Sequence, residues 1–558
     1  MNRCRIFIPI VALGLSLATA ATAAADDLDP PTRVVRLNLL EGTAALQPAG
    51  AATWLDDVLN RPLTSGDKLM FDSGSRAELH VGSTAIRVGE RTALQIVNVA
   101  DHVVQLGLSS GALNIRVRYL APNETVEVDT PNVAVTVLAP GEYRIDVNGG
   151  TDTVDVGVIA GYAEVTGQTQ DFTLNAQQQG EFSGAETLDV NFGDLASGDA
   201  LDEWAAARDA HEDALLSANY VSPEVTGYED LDDNGTWAEV PDYGPVWQPQ
   251  VQVGWVPYQV GRWVWIGPWG WTWIDAAAWG FAPFHYGRWV YVNSAWCWAP
   301  GNPRLPQVYA PALVAWVGGP SLAWVALAFR EEFQPSYHAS AAYIRRLNAD
   351  ANPISPNKDQ HLANQAIPGA ISAVSQAAFS SGRPIGPNLV HLDARNAAAA
   401  RLAIAALPPA PMLTAGHVSP AVGTAMERSS AVLFARSLVA RTNERRPAVI
   451  GAAPSTPNLI PAQAVPLHAH REPGPPPGAP ALTGAPALTG APAQTRAPVQ
   501  NGAAEQAGAA AAAQIRQGEH AVQPESRSPE RVPVAEPKSP AKSGSTPKDN
   551  KPQKPEVH

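Results

Sequence analysis

Cysteine is almost absent from this chain: Cys4 and Cys297 are the only two among 558 residues. A fold with so few thiols has no disulfide framework and must be held by core packing. Long apolar runs are missing too, and beyond Ile6 to Ala18 no stretch is apolar enough to cross a bilayer. Basic charge is scarce in residues 26–245, which hold 37 acidic and 11 basic side chains, a net of −26. Such a region repels nucleic acid and anionic lipid. Catalytic signatures are absent as well. There is no G-x-S-x-G, no Walker loop and no Cys/His metal spacing, and His211-Glu212 lacks the second His of a zincin helix. The expectation is therefore a non-catalytic protein without cofactor or metal.

What is present begins with a targeting pattern. Arg3 and Arg5 precede the apolar run, and Ala21-Thr22-Ala23 or Ala23-Ala24-Ala25 offers a cleavage site before Asp26. Residues 1–25 read as a signal peptide, which places the mature chain in the periplasm or outside the cell. Cys4 leaves with it. Cys297 then stands alone, as a small buried hydrophobe or as a site of intermolecular pairing.

Residues 33–184 read as β-structure throughout. Ala77-Glu78-Leu79-His80-Val81 alternates with period two, and Tyr143, Ile145 and Val147 face Val154, Val156 and Val158 across Asn148-Gly149-Gly150. That spacing predicts a hairpin with one buried face. The order Pro62-Leu63-Thr64-Ser65-Gly66-Asp67-Lys68-Leu69, then Ser75-Arg76-Ala77-Glu78-Leu79, Gly111-Ala112-Leu113 and Asp129-Thr130-Pro131 resembles the FecR-like domain. The resemblance implies a twisted, solenoid-like all-β unit, named for membrane-spanning regulators of iron-uptake sigma factors. Those regulators carry an anti-sigma segment and a transmembrane helix ahead of the domain, where this chain has a cleavable signal.

Residues 185–236 read as an acidic linker with a short helix over 200–218, docked through Trp204, Ala207 and Leu215 and started by Asp202 and Glu203. Asp230, Asp232, Asn234 and Gly235 copy half of a calcium loop, but Pro241 stands where its final Glu belongs, so a polar turn is expected there.

Fourteen of the 16 tryptophans lie between Trp237 and Trp324. Gly261-Arg262-Trp263-Val264-Trp265-Ile266 recurs as Gly287-Arg288-Trp289-Val290-Tyr291-Val292, and each copy is followed by a W-x-W strand, Trp271-Thr272-Trp273 and Trp296-Cys297-Trp298. Residues 237–330 read as a β-hairpin module with partial relatives at Trp247 to Trp255 and Trp316 to Trp324. Period two puts Trp263, Trp265, Trp271, Trp273, Trp289, Tyr291, Trp296 and Trp298 on one aromatic face. That face is either a core or a platform for sugar rings or proline-rich peptide. Arg262 and Arg288 fall on the opposite face, as solvated strand-edge residues or as groups for stacking or phosphate, and His285 reads as a packed polar tip. Tyr243-Gly244-Pro245-Val246-Trp247, Trp279-Gly280-Phe281-Ala282-Pro283-Phe284-His285-Tyr286 and Val308-Tyr309-Ala310-Pro311 resemble a Trp-rich family that often follows a FecR-like domain in exported proteins of Gram-negative bacteria. The family has no established activity.

The remainder is Ala-rich over 331–445, with short helical patches such as 394–406 and no domain assigned, and reads as a disordered Pro-rich tail over 446–558, where Gly478-Ala479-Pro480-Ala481-Leu482-Thr483 is repeated. The whole is mainly β, with its folded part in the first 330 residues. Three functions stay open: an envelope scaffold or interaction protein binding another envelope protein, a binder of cell-wall polysaccharide, and a periplasmic accessory in FecR-type signalling.

Overall fold

The computed structural model describes residues 29–352, 362–390, 401–402, 407–409, 430–441 and 448–450, apart from 57–58, 185 and 319–320. The signal-peptide expectation at 1–25, most of the helical patch expected at 394–406 and the tail beyond 450 lie outside the described residues. Where residues of these stretches are described the expectation is corrected: Arg401–Leu402 is a strand pairing with Val317–Gly318, and Ala448–Ile450, inside the expected tail, pairs with Leu438–Ala440. Within them the chain is mainly β, as expected.

The first 16 strands form two facing layers. One runs Pro62–Leu63, Val35–Glu41, Arg76–Val81, Thr84–Val88, Val103–Val117, Gly141–Asn148, Thr153–Ala160, Gln178–Ser183 and Asp189–Asp194. The other runs Ala44–Gln47, Lys68–Phe71, Ala93–Ala100, Val103–Val117, Thr125–Asp129, Ala134–Val137, Tyr162–Thr166 and Asp171–Asn175. Val103–Val117 belongs to both. Its first half pairs Leu106 with Ile96, its second half pairs Leu113 with Ile145, and the change of layer falls at Gly111. That residue has φ +92°, and a Cβ there would sit 2.2 Å from Thr92 Oγ1, so only glycine lets the strand bend. Pairing is antiparallel except between Val103–Gly107 and Thr125–Asp129.

Alternation explains the core between the layers. Tyr143, Ile145 and Val147 pair with Val158, Val156 and Val154, and all six are buried, as the period-two reading requires. The opposite faces of strands Arg76–Val81 and Thr84–Val88 are also buried, which alternation alone does not foretell. A helix, α1 (Ala200–Glu212), lies over them.

Residues 185–236, read above as a linker, contain strand Asp189–Asp194 and this helix. Asp199 caps α1 and Asp202 completes a capping box. The expected hydrophobic docking is corrected: the face of α1 that is buried carries Ala205, Asp209 and Glu212, while Ala207 is exposed. Leu215 is buried beyond the helix end, and Trp204 lies half-buried under the Arg76 guanidinium, 4.9 Å from its ring centre. The half calcium loop is likewise not a simple turn. Tyr228–Asp230 and Leu231–Asn234 are two short helical turns, and Asp232 accepts hydrogen bonds from Ser217 and from the amide of Leu216.

The tryptophan module is a set of hairpins: Gly235–Val240 with Gly244–Pro249, Gly261–Ile266 with Gly270–Asp275, Arg288–Val292 with Ala295–Ala299, and Val314–Gly318 with Leu322–Ala326. The repeated pairs have the expected register: Trp263 faces Trp273, Trp265 faces Trp271, Trp289 faces Trp298 and Tyr291 faces Trp296. Trp316 faces Trp324 in the fourth hairpin, but Trp247 pairs with Trp237 rather than with Trp255. The core does not stop near residue 330. Ser372–Val374 adds a strand to Leu322–Ala326, and Tyr343, Leu347, Phe379 and Ile385 are buried with the tryptophans. A disulfide-free module draws its apolar area from wherever the chain can supply it, here from the Ala-rich stretch.

Val34 is buried in the tryptophan core, and the amide of Tyr309 donates to Thr32 O at 2.9 Å. Asn60 donates to Ala277 O at 2.7 Å, and Arg36 to Ala278 O at 2.6 Å. The two β modules therefore share a continuous junction.

Candidate functional site

The eight residues of the expected aromatic face divide sharply by exposure. Trp263, Trp271, Trp273, Trp289, Trp296 and Trp298 are buried, and only Trp265 (39 % exposed) and Tyr291 (42 %) reach the surface. The core reading therefore holds for six, and no eight-ring platform exists. Trp263 is central. It packs edge-on against Trp273 and Trp324 at 5.4 Å and lies 4.8 Å from Trp316 and 5.5 Å from Phe379. Such edge-to-face geometry suits the ring quadrupoles.

Several buried indoles of the module donate to backbone. Trp247 Nε1 donates to Leu231 O (2.9 Å), Trp298 Nε1 to Tyr286 O (2.8 Å) and Trp324 Nε1 to Tyr258 O (3.2 Å). Trp273 Nε1 donates to the Asp275 carboxylate at 3.0 Å, and the buried Nε1 of Trp263 and of Trp289 has no hydrogen-bond partner among the described residues. Cys297 is buried among Val246, Val290 and Ala299 on the other side of its strand, and burial pushes its thiol pKa up. That is the hydrophobe reading. His285 is fully buried and stacks on Tyr309 at 4.8 Å, with Nδ1 2.8 Å from Ala310 O. Burial lowers its pKa to about 3, so it is a neutral packed ring. Arg288 is corrected: it is half-buried, donating to Glu331 O at 2.8 Å and to Gly287 O at 2.8 Å.

One exposed aromatic site does form, at the tip of the hairpin Gly261–Ile266/Gly270–Asp275. Trp265, Pro268, Trp269, Trp271, Tyr337 and His338 line a groove of about 390 Å³, closed on one side by Leu407 and Pro408. The turn creates it. Gly270 has φ +86°, and a Cβ there would come within 3.2 Å of the Trp265 ring, so glycine lets that indole lie across the turn. Trp265 meets Trp271 edge-on at 5.6 Å, and Trp269 is anchored beneath by Tyr309 at 4.8 Å. The free face of Trp265, with exposed Ser336 and His338 at the rim, can stack on a ring and offer hydrogen bonds beside it. Sequence reasoning identified Trp265 and Trp271. It missed Tyr337, His338, Leu407 and Pro408, which lie far along the chain and carry no periodic signal.

A second cluster was also missed, under α1. Glu78 accepts from Arg87 Nε (2.9 Å) and Arg208 Nη2 (2.7 Å), and Arg87 reaches Asp209 (2.8 Å) and Glu212 (3.2 Å). His80 lies between Glu212 (3.3 Å) and Glu229 (3.2 Å), and Arg36 joins Glu229 at 2.8 Å. Burial disfavours the His80 cation, but Glu229 and Glu212 outweigh it and hold the pKa well above the ordinary value. Burial likewise opposes ionisation of Glu229, yet His80 and Arg36 bring it down to about 2. Glu78, His80 and Glu212 place donor atoms within 4.8 Å of one another, the spacing of a metal site. Arginines already occupy the two carboxylates, so the group reads as a compensated ion network that fastens α1 to the sheet.

A family model described as a family of unknown function (DUF6600) matches residues 228–331, the stretch from the helical turns through the fourth hairpin. No curated protein matches the chain. Two crystal structures of a candidate anti-sigma factor from Parabacteroides distasonis ATCC 8503, at 2.50 Å and 1.65 Å, are similar in part. Their identities are 15 % and 14 %, each match covers 25 % of this chain and 64 % of that one, and the TM-score is 0.22 in both.

Proposed function

We propose that this is an exported, non-catalytic interaction protein, in which a FecR-like β domain supports a tryptophan module that holds an extended ligand in its aromatic groove. The observation that carries this reading is the half-exposed Trp265 standing over a groove of about 390 Å³ among otherwise buried tryptophans. A large indole left in water at a preformed concavity is how ring-bearing ligands are gripped. Export rests on the pattern from Arg3 to Ala25, and mass spectrometry of the mature chain should find its first residue near Asp26. The non-catalytic reading is supported by the sequence, which carries no G-x-S-x-G, zincin or Walker signature.

Titration of the purified protein with chitotetraose and with a proline decamer tests the groove. Trp265→Ala should weaken the bound ligand at least about tenfold, equal to about 1.4 kcal/mol, while leaving the melting temperature nearly unchanged. Binding unaffected by this substitution would place the ligand elsewhere.

A further inference from the structure

We propose that the groove is a polyproline-recognition site and that Leu407-Pro408-Pro409 of the same chain is its resident ligand. This rests on the interaction reading above and names the ligand class. Trp271 Nε1 donates to Pro408 O at 2.9 Å, the same bond that several buried tryptophans make to fixed backbone, but here to a segment 137 residues away. Pro408 is buried and Leu407 packs on the tryptophan core, whereas Pro409 is exposed.

The chemistry of this contact is specific. Two consecutive prolines fix φ near −65°, and Leu407 and Pro408 each precede a proline, which steers both to extended backbone. An extended prolyl segment has free carbonyl acceptors, no N–H at the prolines and a stiff apolar ring face. An aromatic groove with an indole donor supplies the complement, and little ordering entropy opposes the encounter. The sequence around the contact, Ala406-Leu407-Pro408-Pro409-Ala410-Pro411, has the P-x-x-P spacing of such ligands. The same chemistry recurs in this chain at Pro475-Pro476-Pro477. The resident segment fills only one side. The groove of about 390 Å³ stays open along Trp265, Pro268 and Tyr337, so a longer proline-rich peptide gains contacts that the resident lacks. Because the resident is tethered, it competes as an intramolecular ligand. An outside peptide must displace it, and the contact therefore sets a threshold on binding.

The test uses the full chain, the double variant Pro408→Ala/Pro409→Ala, a synthetic peptide with the sequence of residues 404–412 and a proline decamer. Removing the two rings should tighten binding of both peptides at least tenfold over the parent protein. The indole N–H resonance of Trp271 should move in the double variant and return when peptide is added. Trp271→Phe, introduced into the double variant, keeps a ring without the donor and should lose most of that gain, with circular dichroism confirming that the variant is folded. The proposal is overturned if neither peptide binds the double variant, or if the Trp271 resonance is the same in parent and variant. Chitotetraose binding without peptide binding would overturn it while leaving the interaction reading standing; no binding of any probe would overturn both.

Discussion

At the scale of single residues, exposure separates tryptophans that the repeat treats as equivalent. Trp263 touches four aromatic rings and is fully buried, so Trp263→Ala should cost about 3–5 kcal/mol in urea unfolding. Trp265 lies two residues away on the same face, yet it overhangs the tip of its hairpin and, among the described residues, meets only the Trp271 ring. Trp265→Ala should change stability by less than about 1 kcal/mol, as surface changes do. An equal loss at the two positions would contradict the groove. Glu78 makes the contrasting case on the other module: fully buried, it is ionised because His80, Arg208 and Arg87 outweigh the burial that opposes its charge. Glu78→Gln should destabilise by about 3–5 kcal/mol, since it removes the carboxylate that Arg87 and Arg208 share and leaves the buried network with one negative charge too few.

Among elements, α1 is held by charge, and its docking should depend on pH in a definite sense. His80 has a raised pKa in the fold, so its contribution is complete below its ordinary value of 6.5 and is lost as pH rises through the folded value. Glu229, brought down to about 2, contributes above its ordinary 4.5 and is lost as pH falls toward 2. Two groups of the tryptophan module oppose each other between these limits. His285, lowered to about 3, loses its contribution as pH falls from 6.5, while Asp275, raised by burial to about 7, loses its own as pH rises from 3.8. Asp230, raised by burial to about 6 beside Arg36, also loses its contribution as pH rises from 3.8. Urea midpoints should therefore decline as pH rises above about 6.5 and decline again as it falls below about 4. His80→Gln should flatten the alkaline decline; an unchanged alkaline limb would place its origin elsewhere. A second element-scale expectation concerns the Ala-rich stretch. Phe379 meets Trp271 at 4.6 Å and Trp263 at 5.5 Å, so ending the chain at residue 345 should expose the tryptophan core and lower the melting temperature by several degrees.

For the molecule as a whole, the shared junction at Arg36, Asn60 and Val34 couples the two β modules. Calorimetry should show them melting in one transition, and Asn60→Ala should lower both together, because that side chain bonds Ala277 O on one side and Arg36 on the other. Two separate transitions would mean that the junction is weak. Much of this architecture was legible in the chain itself. Period-two alternation settled the hairpin Gly141–Asn148/Thr153–Ala160, and the repeated R-W-V and W-x-W strings settled the tryptophan pairs, because a strand's side chains and a hairpin's register are local consequences of backbone geometry. What alternation leaves open is which faces are covered, and by what. Glu78 and His80 read as the wet side of a strand until α1 lies over them, and eight aromatics read as one face until the hairpins pack and bury six. The groove was less legible still. Trp265 and Trp271 come from one hairpin, but Tyr337 and Pro408 arrive from far along the chain. Their meeting is a property of long-range packing, which burial of apolar area drives and no local pattern records.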